Sequence, residues 1–102
     1  IPLHAGTDGA PARTAWREIC ARVEDWRPQL VLVSAGFDAH AEDPLAGLLW
    51  DESDFTAITR MICDAAVSCS APVVSVLEGG YDLGALGRSA RAHVDVLRET
   101  AA

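Results

Sequence analysis

Apolar positions along this chain change their spacing from segment to segment, and each change marks the start of another element. Between Pro11 and Arg27 they recur every three or four residues, which is the spacing of one face of an α-helix. The apolar positions on this face are Trp16, Ile19, Cys20, Val23 and Trp26. Pro28 ends the predicted helix, because proline disfavours a helical residue before it and lacks an amide donor.

Two short runs, Leu30–Val33 and Pro72–Leu77, are almost continuously apolar and rich in β-branched residues. Continuous rather than alternating apolar character is typical of parallel strands that are buried on both faces. A second helix is predicted between the two strands, with Asp51 as its N-cap and Asp54 in the capping-box position. Its predicted inner face consists of Phe55, Ile58, Ile62 and Ala66.

A third helix is predicted after Asp82, which is a suitable N-cap. Its predicted inner face consists of Leu83, Leu86, Ala90, Val94 and Leu97. The order helix, strand, helix, strand, helix indicates an α/β fold, since strands joined by a helical crossover run parallel. Two strands make a poor independent sheet, so we expect them to lie beside further parallel strands that this chain does not contain.

Polar clusters follow both predicted strands, at residues 34–40 and 78–82. In an open parallel sheet, ligands bind beyond the carboxyl ends of the strands. Neighbouring strands lie about 5 Å apart, so Asp38 and Tyr81 would face a common site if the two strands pair. An aspartate after a strand is also a common helix cap or loop stabiliser, and this simpler role remains open for Asp38.

Composition narrows the classes of partner and compartment. The chain has 102 residues, enough for one domain, and a formal net charge of −7, which makes nucleic-acid binding unfavourable. Its three cysteines show no C-x-x-C spacing, so neither a disulfide framework nor a cysteine zinc site is indicated. No signal peptide and no apolar run of about 20 residues is present. We therefore expect a reducing, cytoplasmic location without membrane association.

Three segments carry a resemblance to a known family. LVLVSAGFDAHAEDPLAGL (30–48) resembles the metal-ligand segment of bacterial histone-deacetylase-like amidohydrolases, and VVSVLEGGYDLGALGRSARAHVDVL (73–97) resembles their C-terminal glycine–tyrosine segment. IPLHAGTDGA (1–10) is similar to the loop before the preceding helix. Residues 1–102 thus resemble the C-terminal part of a histone deacetylase and acetylpolyamine amidohydrolase domain. The resemblance implies part of a three-layer α/β/α arginase–deacetylase fold, with two parallel strands and flanking helices.

The same resemblance implies a zinc-dependent hydrolase that removes acetyl groups from acetyl-lysine or acetylated polyamines. Asp38 corresponds to an aspartate that coordinates Zn²⁺, and Tyr81 to the catalytic tyrosine that donates a hydrogen bond to the substrate carbonyl. Gly79 and Gly80 would let the backbone pass close to the substrate, and Leu45 corresponds to a residue lining the acyl-lysine tunnel or, equally, to a core residue.

Other polar residues receive simpler interpretations. His40 is predicted to make a structural hydrogen bond in its loop, although Asp38-Ala39-His40 places two ligand types close together. Asp43, before Pro44, is interpreted as a turn former, and His93 as incidental.

The family's remaining zinc ligands and its paired histidines belong to the N-terminal remainder of the domain, which would be this chain's structural partner. We therefore expect the isolated 102 residues to be inactive. We also expect them to self-associate, because a sheet edge and apolar helix faces would be uncovered. Two alternatives stay open: a non-catalytic scaffold or interaction module with the same fold, and a small phosphate- or nucleotide-binding α/β domain that uses the Gly79-Gly80 turn. The second lacks a P-loop lysine and a G-x-G-x-x-G motif.

Overall fold

The computed structural model describes residues 1–101 and contains three helices and two strands in the predicted α/β order. These elements are α1 (Gly9–Trp26), β1 (Val31–Ala35), α2 (Glu52–Ser68), β2 (Val73–Leu77) and α3 (Leu83–Ala101). The strands β1 and β2 pair in parallel, in a register that places Ala35 beside Leu77. None of the helices within residues 1–101 has the length and apolar character that a membrane span requires.

Side chains at the helix starts explain where each helix begins. Asp8 accepts a hydrogen bond from the Ala10 amide at 3.1 Å, so α1 begins at Gly9 rather than at Pro11. The predicted capping box of α2 is confirmed, because Asp51 accepts from the Asp54 amide at 3.2 Å and Asp54 accepts from the Asp51 amide at 2.9 Å. The Asp82 carboxylate accepts a hydrogen bond from the amide of Ala85 at 2.9 Å and caps the first turn of α3.

The main apolar cluster lies at the carboxyl end of β1. Phe37 and Phe55 meet edge to face, with ring centroids 5.1 Å apart and an interplanar angle of 68°. Ala35 completes the buried centre of the cluster. Partly buried residues from β1, the loop after it and α3 surround it: Val33, Ala39, Trp50, Leu86 and Ala90. The cluster fixes the positions of α2 and α3 under the end of the sheet where both polar segments emerge.

One face of the two-stranded sheet is exposed in this chain. Leu32 is 69% exposed, Val74 is 47% exposed and Val76 is 59% exposed. On the opposite face, Val33 packs against the apolar cluster and Ser75 bonds to α3. The prediction that both strand faces are buried is therefore wrong for residues 1–101, because α2 and α3 pack against one face only.

The inner face of α3 differs from the predicted one. Leu83 is 84% exposed and Val94 is 46% exposed, so these two positions do not belong to it. The buried residues of α3 are Ala85, Ser89, His93 and Val96. Apart from Val96, these residues are small or make buried hydrogen bonds, and apolar periodicity does not detect such positions. Trp26 is also outside the core at 80% exposed, because it is the last residue of α1 and the chain turns at Arg27 with a φ of 56°.

His93 joins α3 to both β2 and α2 through buried hydrogen bonds. Its Nδ1 lies 2.8 Å from the Thr59 hydroxyl oxygen, and its Nε2 lies 2.7 Å from the Ser75 hydroxyl oxygen. The Thr59 hydroxyl donates to the Phe55 carbonyl oxygen at 2.6 Å, so the imidazole Nδ1–H must donate to Thr59 and the Ser75 hydroxyl to Nε2. Burial lowers the pKa of His93 and favours the neutral ring. The interpretation of His93 as incidental is wrong, because the residue connects three elements.

Candidate active site at the carboxyl end of the sheet

Parallel pairing continues beyond the ends of β1 and β2 and brings the two polar segments together. The Glu78 amide donates a hydrogen bond to the Ala35 carbonyl oxygen at 2.8 Å, and the Phe37 amide donates to the Gly79 carbonyl oxygen at 2.8 Å. Asp38 follows Phe37 directly, so it emerges beside the glycine–tyrosine segment. The strands run parallel as predicted, and the condition that they pair is met.

The carboxylate of Asp38 lies against two glycines. A Cβ added to Gly79 would be 3.0 Å from Asp38 Cγ and 3.1 Å from its Oδ2. A Cβ added to Gly36 would be 3.2 Å from Asp38 Oδ1. The half-buried carboxylate therefore occupies a cradle that exists because both neighbours lack a side chain.

Glycine is required at position 80 for a different structural reason. Its φ of +135° belongs to a region that residues with a side chain rarely adopt, and an added Cβ would lie 2.8 Å from Leu86 Cδ1 on α3. The turn thus needs glycine for contacts inside the chain, whereas sequence analysis assigned Gly79 and Gly80 to close passage of a substrate. Tyr81 follows this turn and is 55% exposed at the same edge of the sheet.

Asp43 ties the loop after β1 to the glycine–tyrosine segment. One carboxylate oxygen accepts hydrogen bonds from the amides of Leu45 at 2.8 Å and Ala46 at 3.3 Å. The other oxygen accepts from the Tyr81 amide at 2.8 Å. Burial acts to raise the pKa of Asp43, but the hydrogen bonds from backbone amides outweigh it and hold the pKa below its ordinary value. The donating amides belong to Leu45, Tyr81, Ala46 and Asp82.

The sequence interpretation of Asp43 was correct but incomplete. Its bond to the Leu45 amide, two residues on, is the expected side-chain turn. Its bond to Tyr81 spans 38 residues, and no local pattern predicts it. Leu45 is 71% exposed, so within residues 1–101 it is not a core residue.

His40 is buried in the loop and makes the predicted structural hydrogen bonds. Its Nδ1 accepts from the Glu42 amide at 3.0 Å, so its Nε2 carries the proton and donates to Glu52 Oε1 at 3.2 Å. Its ring stacks on Phe55 with an interplanar angle of 10°. These contacts use both ring nitrogens for the protein itself.

His40, Glu42 and Glu52 also form the one group of three potential metal ligands found within residues 1–101. Arg88 on α3 donates hydrogen bonds to both glutamates, at 2.6 Å to Glu52 Oε1. The hydrogen bond from Arg88 is the main reason that the pKa of Glu52 lies below its ordinary value. A guanidinium thus already pairs with both carboxylates, and the group acts as an ion-pair network that joins the loop to α2 and α3.

Asp38 lies outside that network and has the chemistry of a single metal ligand. A carboxylate oxygen is an accepted zinc ligand, and the two glycines place no side chain against this carboxylate. A catalytic zinc site needs three protein ligands, and within residues 1–101 no group of three includes Asp38. The residues of this chain therefore fit one part of a zinc site.

Solved structures define the class of fold. The histone deacetylase Clr3 superposes with a TM-score of 0.83 at 30% sequence identity, covering 92% of this chain and 16% of that one. The acetylpolyamine aminohydrolase of Burkholderia pseudomallei superposes with a TM-score of 0.83 at 24% identity, covering 95% of this chain and 27% of that one. The fold is that of part of a deacetylase domain, as the sequence predicted.

Sequence comparisons name the family. The model of the histone deacetylase domain matches residues 1–97, and the chain belongs to the histone deacetylase family. It is 39% identical over 100 residues to type-2 histone deacetylase 1 of Dictyostelium discoideum, covering 97% of this chain and 7% of that protein. It is 51% identical over 69 residues to a probable deacetylase of Methanothermobacter thermautotrophicus, covering 68% of this chain and 20% of that protein. The chain thus spans at most about a fifth of these two relatives.

Proposed function

We propose that this chain supplies part of a zinc-dependent active site that hydrolyses the acetyl amide of acetyl-lysine or of an acetylated polyamine. The observation that supports the proposal is the position of the Asp38 carboxylate. It lies in a cradle of Gly36 and Gly79, at the carboxyl end of a paired parallel strand. Tyr81, two residues after Gly79, emerges at the same edge, so a metal ligand and a phenol donor are available together.

Each residue has a separate task in this proposal. Asp38 holds the metal, which when bound polarises the amide carbonyl and acidifies a water molecule. Tyr81 donates a hydrogen bond to the oxyanion that develops on the substrate carbonyl. Leu45, exposed and apolar, contacts the alkyl part of the acylated amine. Gly79 keeps space for the carboxylate, and Gly80 permits the turn that leads to the tyrosine.

The proposal makes this chain one part of a larger site. Further zinc ligands and the histidines that act as general base and acid would come from the N-terminal remainder of the deacetylase domain. The isolated 102 residues should then show no deacetylation of an acetyl-lysine peptide. Turnover by the purified chain that a chelator abolishes would contradict this division of the site.

The role of Asp38 is tested by zinc content. In a polypeptide that joins this chain to the remainder of the domain, Asp38→Asn should weaken zinc binding by at least about tenfold. Loss of a residue that only supports a zinc ligand already costs about tenfold in affinity, and loss of a direct ligand should cost no less. Asp25→Asn, an equal change at an exposed position on α1, is the matched control and should leave zinc unchanged. Equal zinc affinity in the two variants would remove Asp38 from the metal site.

A non-catalytic scaffold is the second candidate function, and the exposed apolar sheet face favours it. Leu32, Val74 and Val76 form a surface that a partner can cover without any chemistry at Asp38. The sequence that precedes residue 1 discriminates the two candidates. An Asp-x-His pair and a His-His pair there support the enzyme, and their absence supports the scaffold.

A phosphate-binding role for the Gly79-Gly80 turn has lost its support. Such a role needs free backbone N–H groups directed at the anion. The Tyr81 amide, which follows the turn, donates instead to the carboxylate of Asp43. A negative side chain at this position opposes an anion.

A further inference from the structure

A single buried carboxylate holds the two exposed residues that flank the proposed substrate position. Asp43 is 8% exposed, and its two oxygens face different segments of the chain. Oδ1 accepts from the Leu45 amide and Oδ2 accepts from the Tyr81 amide, each at 2.8 Å. The backbones of Leu45 and Tyr81 are therefore tied to each other through one rigid planar group.

Both of these residues are largely exposed within residues 1–101. Tyr81 is 55% exposed and Leu45 is 71% exposed, so neighbouring groups cover less than half of each residue. Tyr81 also follows two consecutive glycines, the residues with the greatest backbone freedom. The hydrogen bond to Asp43 is therefore a direct restraint on the Tyr81 backbone, beside the contacts of Gly80 with α3.

The anchor has the strength and permanence that a positioning role needs. Hydrogen bonds to an ionised acceptor are roughly twice as strong as those between neutral groups. Several backbone amides converge on this carboxylate and keep its pKa below the ordinary value, so it stays ionised at neutral pH. After the anchor, Asp82 caps α3 and fixes the other side of the tyrosine.

We infer that Asp43 is a positioning residue that sets the separation of Tyr81 and Leu45, and with it the fit of the acyl group between them. This inference rests on the proposed function, because it assigns the held residues to substrate. It adds a role for a residue that touches neither metal nor substrate. The shared anchor itself, formed by the hydrogen bonds from Leu45 and Tyr81 to Asp43, can be tested without measuring catalysis.

Amide spectroscopy of the chain tests the anchor. Tyr81 is the only tyrosine in the sequence, so labelling with ¹⁵N-tyrosine gives one amide signal. In the unaltered chain this signal should titrate with the Asp43 carboxylate, at a pH below the ordinary aspartate value of about 3.9. In Asp43→Asn, hydrogen exchange at the Tyr81 amide should accelerate about tenfold or more, because one neutral carbonyl oxygen cannot serve both segments.

Asp51→Asn is the matched control for that measurement. Asparagine caps helices as well as aspartate does, so this variant should keep the Tyr81 exchange rate of the unaltered chain. A Tyr81 amide that neither titrates with an acidic group nor exchanges faster in Asp43→Asn overturns the inference. The titration uses the unaltered chain, so the anchor is tested even if Asp43→Asn does not fold.

Kinetics in a polypeptide that also carries the remainder of the domain test the consequence. Asp43→Asn should lower kcat for an acetyl-lysine peptide about ten- to hundredfold and change the preference between acetyl and longer acyl groups. An altered amount of folded enzyme, with unchanged kcat and acyl preference per folded site, overturns the positioning role. Absence of activity in the unaltered polypeptide instead refutes the proposed function, and the amide experiment still decides the anchor.

Discussion

Replacement of Gly80 by alanine tests the packing that supports the glycine–tyrosine segment. Gly80 has a φ of +135°, and an added Cβ would lie 2.8 Å from Leu86 Cδ1 and 3.4 Å from Phe37 Cβ. Holding an L-residue in this backbone region costs about 1–3 kcal/mol. Overpacking against Leu86 adds about 1–3 kcal/mol, and the lower part of that range applies because a leucine terminus can yield. Gly80→Ala should therefore destabilise the chain by about 2–4 kcal/mol.

The assay is urea denaturation followed by circular dichroism, with Gly87→Ala as the control. Gly87 lies inside α3 and has nothing within 4 Å of an added Cβ. The same glycine-to-alanine change should stabilise the chain there by about 0.5–1 kcal/mol, because alanine favours the helix. The two variants should thus shift the urea midpoint in opposite directions.

A Gly80→Ala variant with the stability of the unaltered chain would refute the reasoning. It would mean that the turn after β2 relaxes without cost and that α3 is not packed tightly against it. A loss of stability in Gly87→Ala would show that the assay does not report the higher helix propensity of alanine. The first result would remove the structural requirement for glycine in the turn that leads to Tyr81.

Three further predictions concern stability. Because burial lowers the pKa of His93, the unfolded chain binds more protons than the folded one below about pH 6.5, so the free energy of unfolding should fall as pH drops through that value. Urea midpoints between pH 8 and pH 5 measure this dependence. A His93→Gln variant whose urea midpoint depends on pH as strongly as that of the unaltered chain would contradict it. Phe55→Ala should cost about 3–5 kcal/mol in the same assay, and a cost below about 1 kcal/mol would show that the cluster at the end of β1 is loose. Asp51→Ala should cost about 1–2 kcal/mol through loss of the α2 cap, whereas Asp51→Ser should retain most of that stability; equal loss in both would contradict the capping account.

Local sequence signals predicted the elements well because each element carries its own signal. The three-and-four spacing of apolar residues predicted the helices, and Asp51 with Asp54 predicted the start of α2. The prediction failed where burial depends on distant partners. Leu83 is apolar but exposed, and His93 is polar but buried between Thr59 and Ser75. Periodicity ranks residues by hydrophobicity, so it cannot detect a polar residue whose hydrogen bonds are satisfied inside.

The candidate site likewise has features that the sequence predicted and features that it did not. Strand order and the rule for parallel sheets predicted that the segments of Asp38 and Tyr81 meet. The contact of Asp38 with Gly79 required the register of the two strands, which sequence alone does not provide. The bond from Tyr81 to Asp43 joins positions 38 residues apart and depends on the path of the whole loop. Family resemblance indicated the candidate site residues, whereas the structure was needed to find what holds them.

The most direct test of the central claim is the deacetylation rate of a Tyr81→Phe variant. The polypeptide should carry this chain and the remainder of the domain, with an acetyl-lysine peptide as substrate. Loss of one hydrogen-bond donor to a developing oxyanion should lower kcat about 10²- to 10³-fold while the zinc content stays unchanged. A Tyr81→Phe variant with zinc bound and the kcat of the unaltered enzyme would contradict the claim that this chain brings a catalytic phenol to the metal site.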